Sequence, residues 1–317
     1  MGTPSTLATF RLLFEDDEFL ESRVFQPLHK IVLGLSSANL KQQLELSTSG
    51  INAVDADGRT ALSWAATRDD FEAVNTLLSF GADPNIPSVW GQLPLHCATY
   101  NKKQSPIGIL EELIARGTNV NTLDYWNRTA LTYASGNYYD LETIQLLVSE
   151  GTAINVRDRR LRTALGYTAR LGHSKHAEYL LKCGADPNIP DEFNVIPLFD
   201  TVRNNFHDVL RLLIPCSNPI EIRPFGSSLL HWIAANADNA TIKIILGCPL
   251  NHLFLGSDAT LHNVEGLTPL DVFHHRLTVI DEEEENFSTL VGKISALDKP
   301  AEEIGSYRSC ESSTEQR

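Results

Sequence analysis

The sequence predicts an all-α solenoid in which short helix pairs stack side by side and are joined by hairpin-like finger loops. Three observations predict it. A short signature, most often Ala or Pro and then Leu after a small or polar residue, starts at Gln26, Thr60, Leu93, Thr129, Thr163, Ile196, Ser228 and Thr268, at intervals of 34, 33, 36, 34, 33, 32 and 40 residues. An apolar pair follows 17 residues after most starts, as Leu77-Leu78, Leu146-Leu147, Leu180-Leu181, Leu213-Ile214 and Ile245-Leu246. A turn ending in Asn comes next, at Asn52, Asn85, Asn121, Asn155, Asn188 and Asn251, and GADPN stands in full at Gly81–Asn85 and Gly184–Asn188. Three features in one register with a period near 33 mark a repeated supersecondary unit.

Residues 1–24 are expected to be a lead-in and capping helix, because Leu12, Leu13, Phe19, Leu20 and Val24 lie among acids, as suits a cover for the open end of a stack. The array itself occupies 25–275 in seven to eight units. Within a unit, Thr60, Thr129, Thr163 and Thr268 can cap the first helix through the hydroxyl, and the Ala or Pro that follows suits a first turn. Ala65, Ala66, Ala98, Ala134, Ala169 and Ala234 let that helix approach its neighbours closely, while the second helix brings the Leu pair to a shared core. Gly81, Gly117, Gly151, Gly184 and Gly247 are expected to end the second helix in a left-handed conformation. The finger that follows opens its turn at Gly58, Gly91, Asn127, Asn194, Gly226 or Gly266.

Four places depart from the pattern. In the 36-residue unit the apolar pair is Leu113-Ile114, three places late, which puts an insertion around Lys102–Pro106. Leu161 stands where the other turns have Gly or Asn, so the finger before Thr163 is expected to be distorted. The Ile196 unit has Asp200-Thr201 in place of aromatic-Ala, and Pro215 cuts its second helix short. HLFLGSDATLHNV lengthens the finger between Ser228 and Thr268. Residues 276–298 read as an acidic loop and a C-terminal capping helix, with Asp281–Glu285 in the loop or first turn and Leu290, Ile294 and Leu297 at helical spacing; the polar tail 299–317 reads as disordered.

Composition narrows the class. The chain of 317 residues has 42% hydrophobic residues and a formal net charge of -14, which disfavours broad phosphate contact and makes direct nucleic-acid binding unexpected. No apolar run is long enough for a membrane helix, and MGTPSTLATF lacks the basic and apolar regions of a secretory leader, so a cytoplasmic or nuclear setting is expected. Gly2 with Thr6 fits a loose acylation pattern. Five widely spaced cysteines, with no C-x-x-C pair, suit reduced thiols.

TALSWAA, LPLHCA, TALTYAS and LTPLDVF, with FGADPN and KCGADPN, resemble the ankyrin-repeat family over about residues 25–275. The resemblance implies an ankyrin-repeat α-solenoid that binds a partner and does not catalyse. The lead-in FEDDEFLESRVFQPLHKIV is similar to the N-terminal cap of ankyrin proteins from filamentous fungi, which would imply a regulatory role such as transcription co-regulation.

A partner would meet finger tips and the exposed side of each first helix. Trp64, Tyr133, Tyr167 and Trp232, four places after a start, are expected in the core between repeats. Three places before a start stand Asp57, Trp90, Trp126, Arg160, Phe193 and Phe225, with Tyr125 beside Trp126 and Tyr100 on the concave helix face. Such aromatics either stack on adjacent fingers or serve as binding anchors. Arg157, Arg159, Arg160 and Arg162 crowd one finger, near Arg128 and Arg170, with Arg203 one repeat on. Either Asp124, Asp158, Glu192 or solvent neutralises them, or Trp90, Tyr125, Trp126, Arg128, Arg159, Arg160, Arg162 and Arg170 form one groove for an extended acidic or phosphorylated peptide. Phe193 and Arg203 extend that candidate surface.

Catalytic patterns are missing from the sequence. His29, His96 and His231 fall at the fourth place of their repeats, where a ring can tie helix to finger, and His274-His275 are neighbours that point apart on a helix. No metal-protease, nucleophile-elbow or phosphate-loop motif appears, so neither a catalytic group nor a cofactor or metal is expected. The leading expectation is a monomeric, non-catalytic protein-protein adaptor. A substrate-recruiting subunit of a ligase or biosynthetic complex is the alternative, and a cryptic enzyme a more distant one.

Overall fold

In the computed structural model the described residues are 24–100, 106–137, 141–219, 224–248, 259–276 and 281–297. The expectations on Gly2, Leu12, Leu13, Phe19, Leu20, residues 102–105 of the insertion, Asn251, residues 252–258 of the long finger and the tail 299–317 lie outside them. Val24 is exposed with a φ of 55°, so it belongs to no covering helical face.

Sixteen α-helices are described, in eight pairs. The first helices are α1 (Pro27–Val32), α3 (Ala61–Thr67), α5 (Pro94–Ala98), α7 (Ala130–Gly136), α9 (Ala164–Leu171), α11 (Pro197–Asn204), α13 (Leu229–Asn236) and α15 (Pro269–His274). Their second helices are α2 (Leu40–Leu46), α4 (Phe71–Ser79), α6 (Ile107–Ala115), α8 (Leu141–Ser149), α10 (Ser174–Lys182), α12 (His207–Leu213), α14 (Asn239–Leu246) and α16 (Asp281–Leu297). No strand occurs among the described residues beyond one isolated bridge, Val54 to Thr60. The chain divides into two compact units, the described residues up to Tyr167 with Lys182–Ala185, and Thr168–Leu181 with those from Asp186 on.

In the first unit α1 packs on α3, α3 on α5 and α5 on α7, while α2, α4, α6 and α8 form a parallel row. In the second, α11, α13 and α15 line up in the same way beside α12, α14 and α16. All these helices but α16 have only five to nine residues and no stability of their own, so the rows hold by burying Leu62, Leu77, Leu78, Leu95, Leu110 and Leu113 in one unit and Leu198, Leu210, Leu213, Ile233 and Ile245 in the other. The four caps form: Thr60, Thr129, Thr163 and Thr268 Oγ1 accept the backbone N–H of Ser63, Thr132, Gly166 and Asp271 at 3.1–3.2 Å. Pro215 follows the seven-residue α12, the shortened helix of the Ile196 unit.

Asparagine side chains tie several repeats to the next. Asn121 Nδ2 donates to the Gly151 carbonyl (3.0 Å) and its Oδ1 accepts from Ala153 N (2.6 Å); Asn188 does the same with Cys216 (3.2 Å) and Asn218 (2.6 Å). In the second unit Asn205 reaches the Asn236 carbonyl (3.0 Å) and accepts from Asp238 N (2.8 Å).

Two local expectations are corrected. Gly81, Gly117, Gly151 and Gly184 are left-handed, but Gly247 has φ -80° and merely continues the helical turn. Leu161 does not distort its finger: Leu161 N donates to the Asp158 carbonyl at 2.8 Å and Asp158 N to the Arg162 carbonyl at 3.1 Å, as in the neighbouring turns. The strain is carried by Leu161 itself, at φ 58°. Leu161 is exposed, so Leu161→Asn, the residue found at the matching Asn127 and Asn194, should stabilise by about 0.5–1 kcal/mol. Calorimetry should show Tm raised by about 1–4 °C; an unchanged or lower Tm would refute the strain.

Candidate functional site

Each finger of the first unit is locked by a carboxylate or hydroxyl in its own turn. Oδ1 of Asp55, Asp124 and Asp158 accepts the backbone N–H groups two and four residues on, at 2.8–2.9 Å. Ser88 Oγ takes the same pair, from Trp90 and Gln92, at 3.2–3.3 Å. The second carboxylate oxygen reaches the first helix nine residues on. Oδ2 accepts from Trp64 Nε1 at 2.9 Å, from Tyr133 OH at 2.7 Å and from Tyr167 OH at 2.6 Å.

Those aromatics are therefore tethers between finger and helix and not passive core. Trp64 and Tyr133 are buried, whereas Tyr167 and, in the second unit, Trp232 are only half-buried, which corrects the expectation that all four are core. Sequence reasoning missed the tether, although an Asp nine residues before an aromatic recurs at Asp55, Asp124 and Asp158. In the Ile196 unit Asp200 takes the aromatic's place, and Asp191 Oδ1 accepts the turn N–H groups of Phe193 and Val195 at 2.9 and 3.0 Å.

The arginine before each helix start covers the tether. The guanidinium carbons of Arg59, Arg128 and Arg162 lie 4.9, 4.2 and 5.7 Å from the centroids of Trp64, Tyr133 and Tyr167. Arg128 also holds Asp124 Oδ2 through Nε (3.0 Å) and Nη2 (2.8 Å), donates to Tyr133 OH, and lies 4.7 Å from the Trp126 ring. Gln92 Nε2 donates to the same hydroxyl at 2.7 Å. Burial and the bond to Asp124 push the Tyr133 hydroxyl far above its ordinary range, and burial with Asp158 pushes Tyr167 up to about 12. Burial opposes the Asp124 charge, but the N–H of Arg128, the Tyr133 hydroxyl and the Arg128 guanidinium outweigh it and hold the carboxyl below its usual range.

At the tips the backbone continues from finger to finger. Val89 N donates to the Asp57 carbonyl (2.8 Å), Tyr125 N to Trp90 (3.0 Å) and Arg159 N to Trp126 (2.9 Å). The Trp90 and Trp126 rings stack, with centroids 5.5 Å apart and planes 26° apart. Tyr125 lies across Gly91, where a Cβ would come within 2.7 Å of its ring, so the left-handed Gly91 is required for space as well as for φ. Stacking leaves these rings open to solvent: Trp90 is 47% exposed, Tyr125 58% and Trp126 36%. Tyr100, beyond the end of α5, is 62% exposed and meets Tyr133 edge-on at 6.2 Å.

The structure thus sorts the sequence-derived set. Trp90, Tyr100, Tyr125, Trp126, Arg159 and Arg160 are exposed on the first unit, and Arg128 is half-buried in its ion pair. Arg162 is buried over Tyr167, which corrects its place among partner-facing groups. Arg170, Phe193 and Arg203 belong to the second unit and are exposed there, Phe193 stacking on Phe225 at 5.6 Å.

The three fourth-place histidines do tie helix to finger, and the finger is that of the next repeat. Nδ1 of His29, His96 and His231 accepts from the cap N–H of its own helix at 3.1–3.3 Å, so Nε2 carries the proton and donates to the carbonyls of Arg59, Thr122 and Leu267 at 2.9–3.1 Å. Burial lowers the pKa of His29 and His96 from the ordinary 6.5. A base whose folded pKa is lowered is protonated first in the unfolded chain, so stability drops as pH falls below about 6.5. Tm should therefore fall from pH 7.5 to pH 5, and His96→Asn should flatten that fall; a wild-type Tm constant over this range would overturn the account. Among the described residues no group of three His, Cys, Asp or Glu is placed to hold a metal.

The family model described as "Ankyrin repeats (3 copies)" matches residues 28–124 and 102–191, just over half of the chain. The chain belongs to the ankyrin-repeat family. It is similar to human Transient receptor potential cation channel subfamily A member 1, 29% identical over 160 residues (46% of this chain, 14% of that protein). It is also similar to human Inversin, 30% identical over 112 residues (34% of this chain, 10% of that protein), and to Palmitoyltransferase AKR1 of Lachancea kluyveri, 38% identical over 80 residues (25% and 10%). The chain thus matches only about a tenth of these relatives' length. Ankyrin repeats mark a protein-protein interaction module, and no described helix is long and apolar enough to cross a membrane.

Proposed function

We propose that this ankyrin-repeat protein is a non-catalytic, monomeric adaptor of the cytoplasm or nucleus, whose first unit holds an extended acidic or phosphorylated peptide along its finger tips. One observation carries the reading: rings fixed by a backbone ladder stay half exposed beside Arg159 and Arg160, in a protein of net charge -14. Rigid aromatics bind at low entropic cost, and guanidinium pairs with carboxylate or phosphate in two-pronged fashion. A regulatory adaptor, such as a transcription co-regulator, fits this surface.

The test is proximity labelling in the native cell with wild type and with Trp126→Ala/Arg160→Ala. The double variant should lose the wild-type set of labelled proteins while Tm falls by no more than about 8 °C, because both side chains are exposed and Trp126 gives up a ring stack and a cation contact of about 1 kcal/mol each. An unaltered labelled set would discard the finger-tip surface. A set dominated by ligase or metabolic proteins would favour a substrate-recruiting subunit over a regulator.

A further inference from the structure

The second unit carries a cleft of about 490 Å³ that is built by repeat position. It is lined by the residue seven places after the start in three successive repeats, Arg203 of α11, Ala235 of α13 and His275 at the C-terminal cap of α15. Residues three places before the start in two fingers, Phe225 and Glu265, line it too. Trp232 and Val272, both four places after a start, line it as well. Arg203, Ala235, His275, Phe225 and Glu265 are all exposed, and Trp232 is half-buried against Phe199 at 5.4 Å.

Position decides what such a cleft can take. Arg203 stands on the first of the three repeats and Glu265 on the third, so the cleft is cationic at one end and anionic at the other. Between them Ala235 is too small to fill the gap, and Trp232 and Phe225 offer aromatic surface. Neighbouring helices lie about 10 Å apart, so two repeat steps span about 20 Å. An extended chain rises about 3.3 Å per residue and covers that span in about six residues.

We infer that this cleft binds an extended peptide of a partner protein with an acidic residue against Arg203, a Lys or Arg about five or six residues away against Glu265, and a large apolar side chain between them over Ala235, against Trp232 and Phe225. The charge asymmetry of the cleft selects the peptide, and the missing side chain at Ala235 admits its apolar anchor. This site lies in the second unit and stands independently of the finger-tip surface of the first.

The experiment pans a random dodecapeptide display library against the full chain. Wild type should enrich peptides with one acid and one base about five or six residues apart and an aromatic or aliphatic residue between. Arg203→Glu makes both ends anionic and should enrich peptides basic at both ends; Glu265→Lys should enrich peptides acidic at both ends. A synthetic wild-type-selected peptide should bind either variant at least about five-fold more weakly, because an attraction becomes a repulsion. Ala235→Gln, a helix-compatible change at an exposed place, should block the cleft and abolish enrichment of this peptide class at unchanged Tm, while acidic peptides held by the first unit stay enriched. Trp126→Ala/Arg160→Ala should leave this peptide class as it is and remove only the acidic peptides held by the first unit, which separates this cleft from the first unit's surface. No enrichment of this peptide class above library background, a class unmoved by the two charge reversals, or one that survives Ala235→Gln would overturn the inference.

Discussion

Asp124→Ala is expected to lower Tm by about 6–12 °C, the consequence of losing about 3 kcal/mol. The side chain is wholly buried and serves four groups at once: the N–H groups of Trp126 and Arg128, the Tyr133 hydroxyl and the Arg128 guanidinium. Removing it leaves two turn N–H groups and a buried phenol without their acceptor, each at a cost of about 1–3 kcal/mol, only part of which water can offset. Asp124→Asn keeps an acceptor for the turn but loses the charge that Arg128 faces, so it should fall between wild type and Asp124→Ala. The finger would also lose the carboxylate that spaces Trp126 from α7, and stacking of Trp126 on Trp90 should weaken in near-ultraviolet circular dichroism. Equal stability of wild type and Asp124→Ala would show the tether to be ornamental.

Phe287→Ala should uncouple α16 from its neighbours without unfolding the second unit. Phe287 and Phe273 are fully buried and stacked face to face, with centroids 4.3 Å apart and planes 6° apart, and Leu290 and Ile294 share the same buried side of α16. Truncating a buried Phe costs about 3–5 kcal/mol. In a stack where each pair touches only its neighbours, that loss falls mainly on the last pair. Hydrogen exchange should show protection of the α16 amides reduced about a hundredfold or more, with those of α11 and α12 changed far less. A uniform loss across α11 to α16 would mean that the unit folds all-or-none.

Much of the architecture was legible because the repeat writes it many times over. The period, the threonine caps, the prolines and alanines in first turns and the left-handed glycines each follow from local backbone chemistry, and each was read from residues such as Thr60, Pro94 and Gly81 before any contact was known. Reasoning failed where two chemistries compete at one residue. Leu161 has the wrong side chain for its turn, but Asp158 and the bonds around it overrule that preference. Gly247 could be left-handed and is not. Arg162 is a charge that burial over Tyr167 withdraws from the surface.

The binding surface was legible in kind but not in arrangement. Tip aromatics at Trp90 and Trp126 could be found by counting back from each cap, since position in a repeat dictates which side chains leave the core. That they stack on each other, that Arg128 is occupied by Asp124, and that Arg203 shares a cleft with Glu265 depend on contacts between residues more than thirty positions apart or on competition for one partner.

The sequence by itself determined the unit: where each helix begins and ends, which side is apolar, and how often the unit recurs, because caps, turns and periodicity act over a few residues. Only the tertiary structure decided which polar groups are spent inside the stack and which remain for a partner. A charge or ring near a finger tip is available only if no neighbouring repeat offers it a better bond, and that choice is made when the repeats come together.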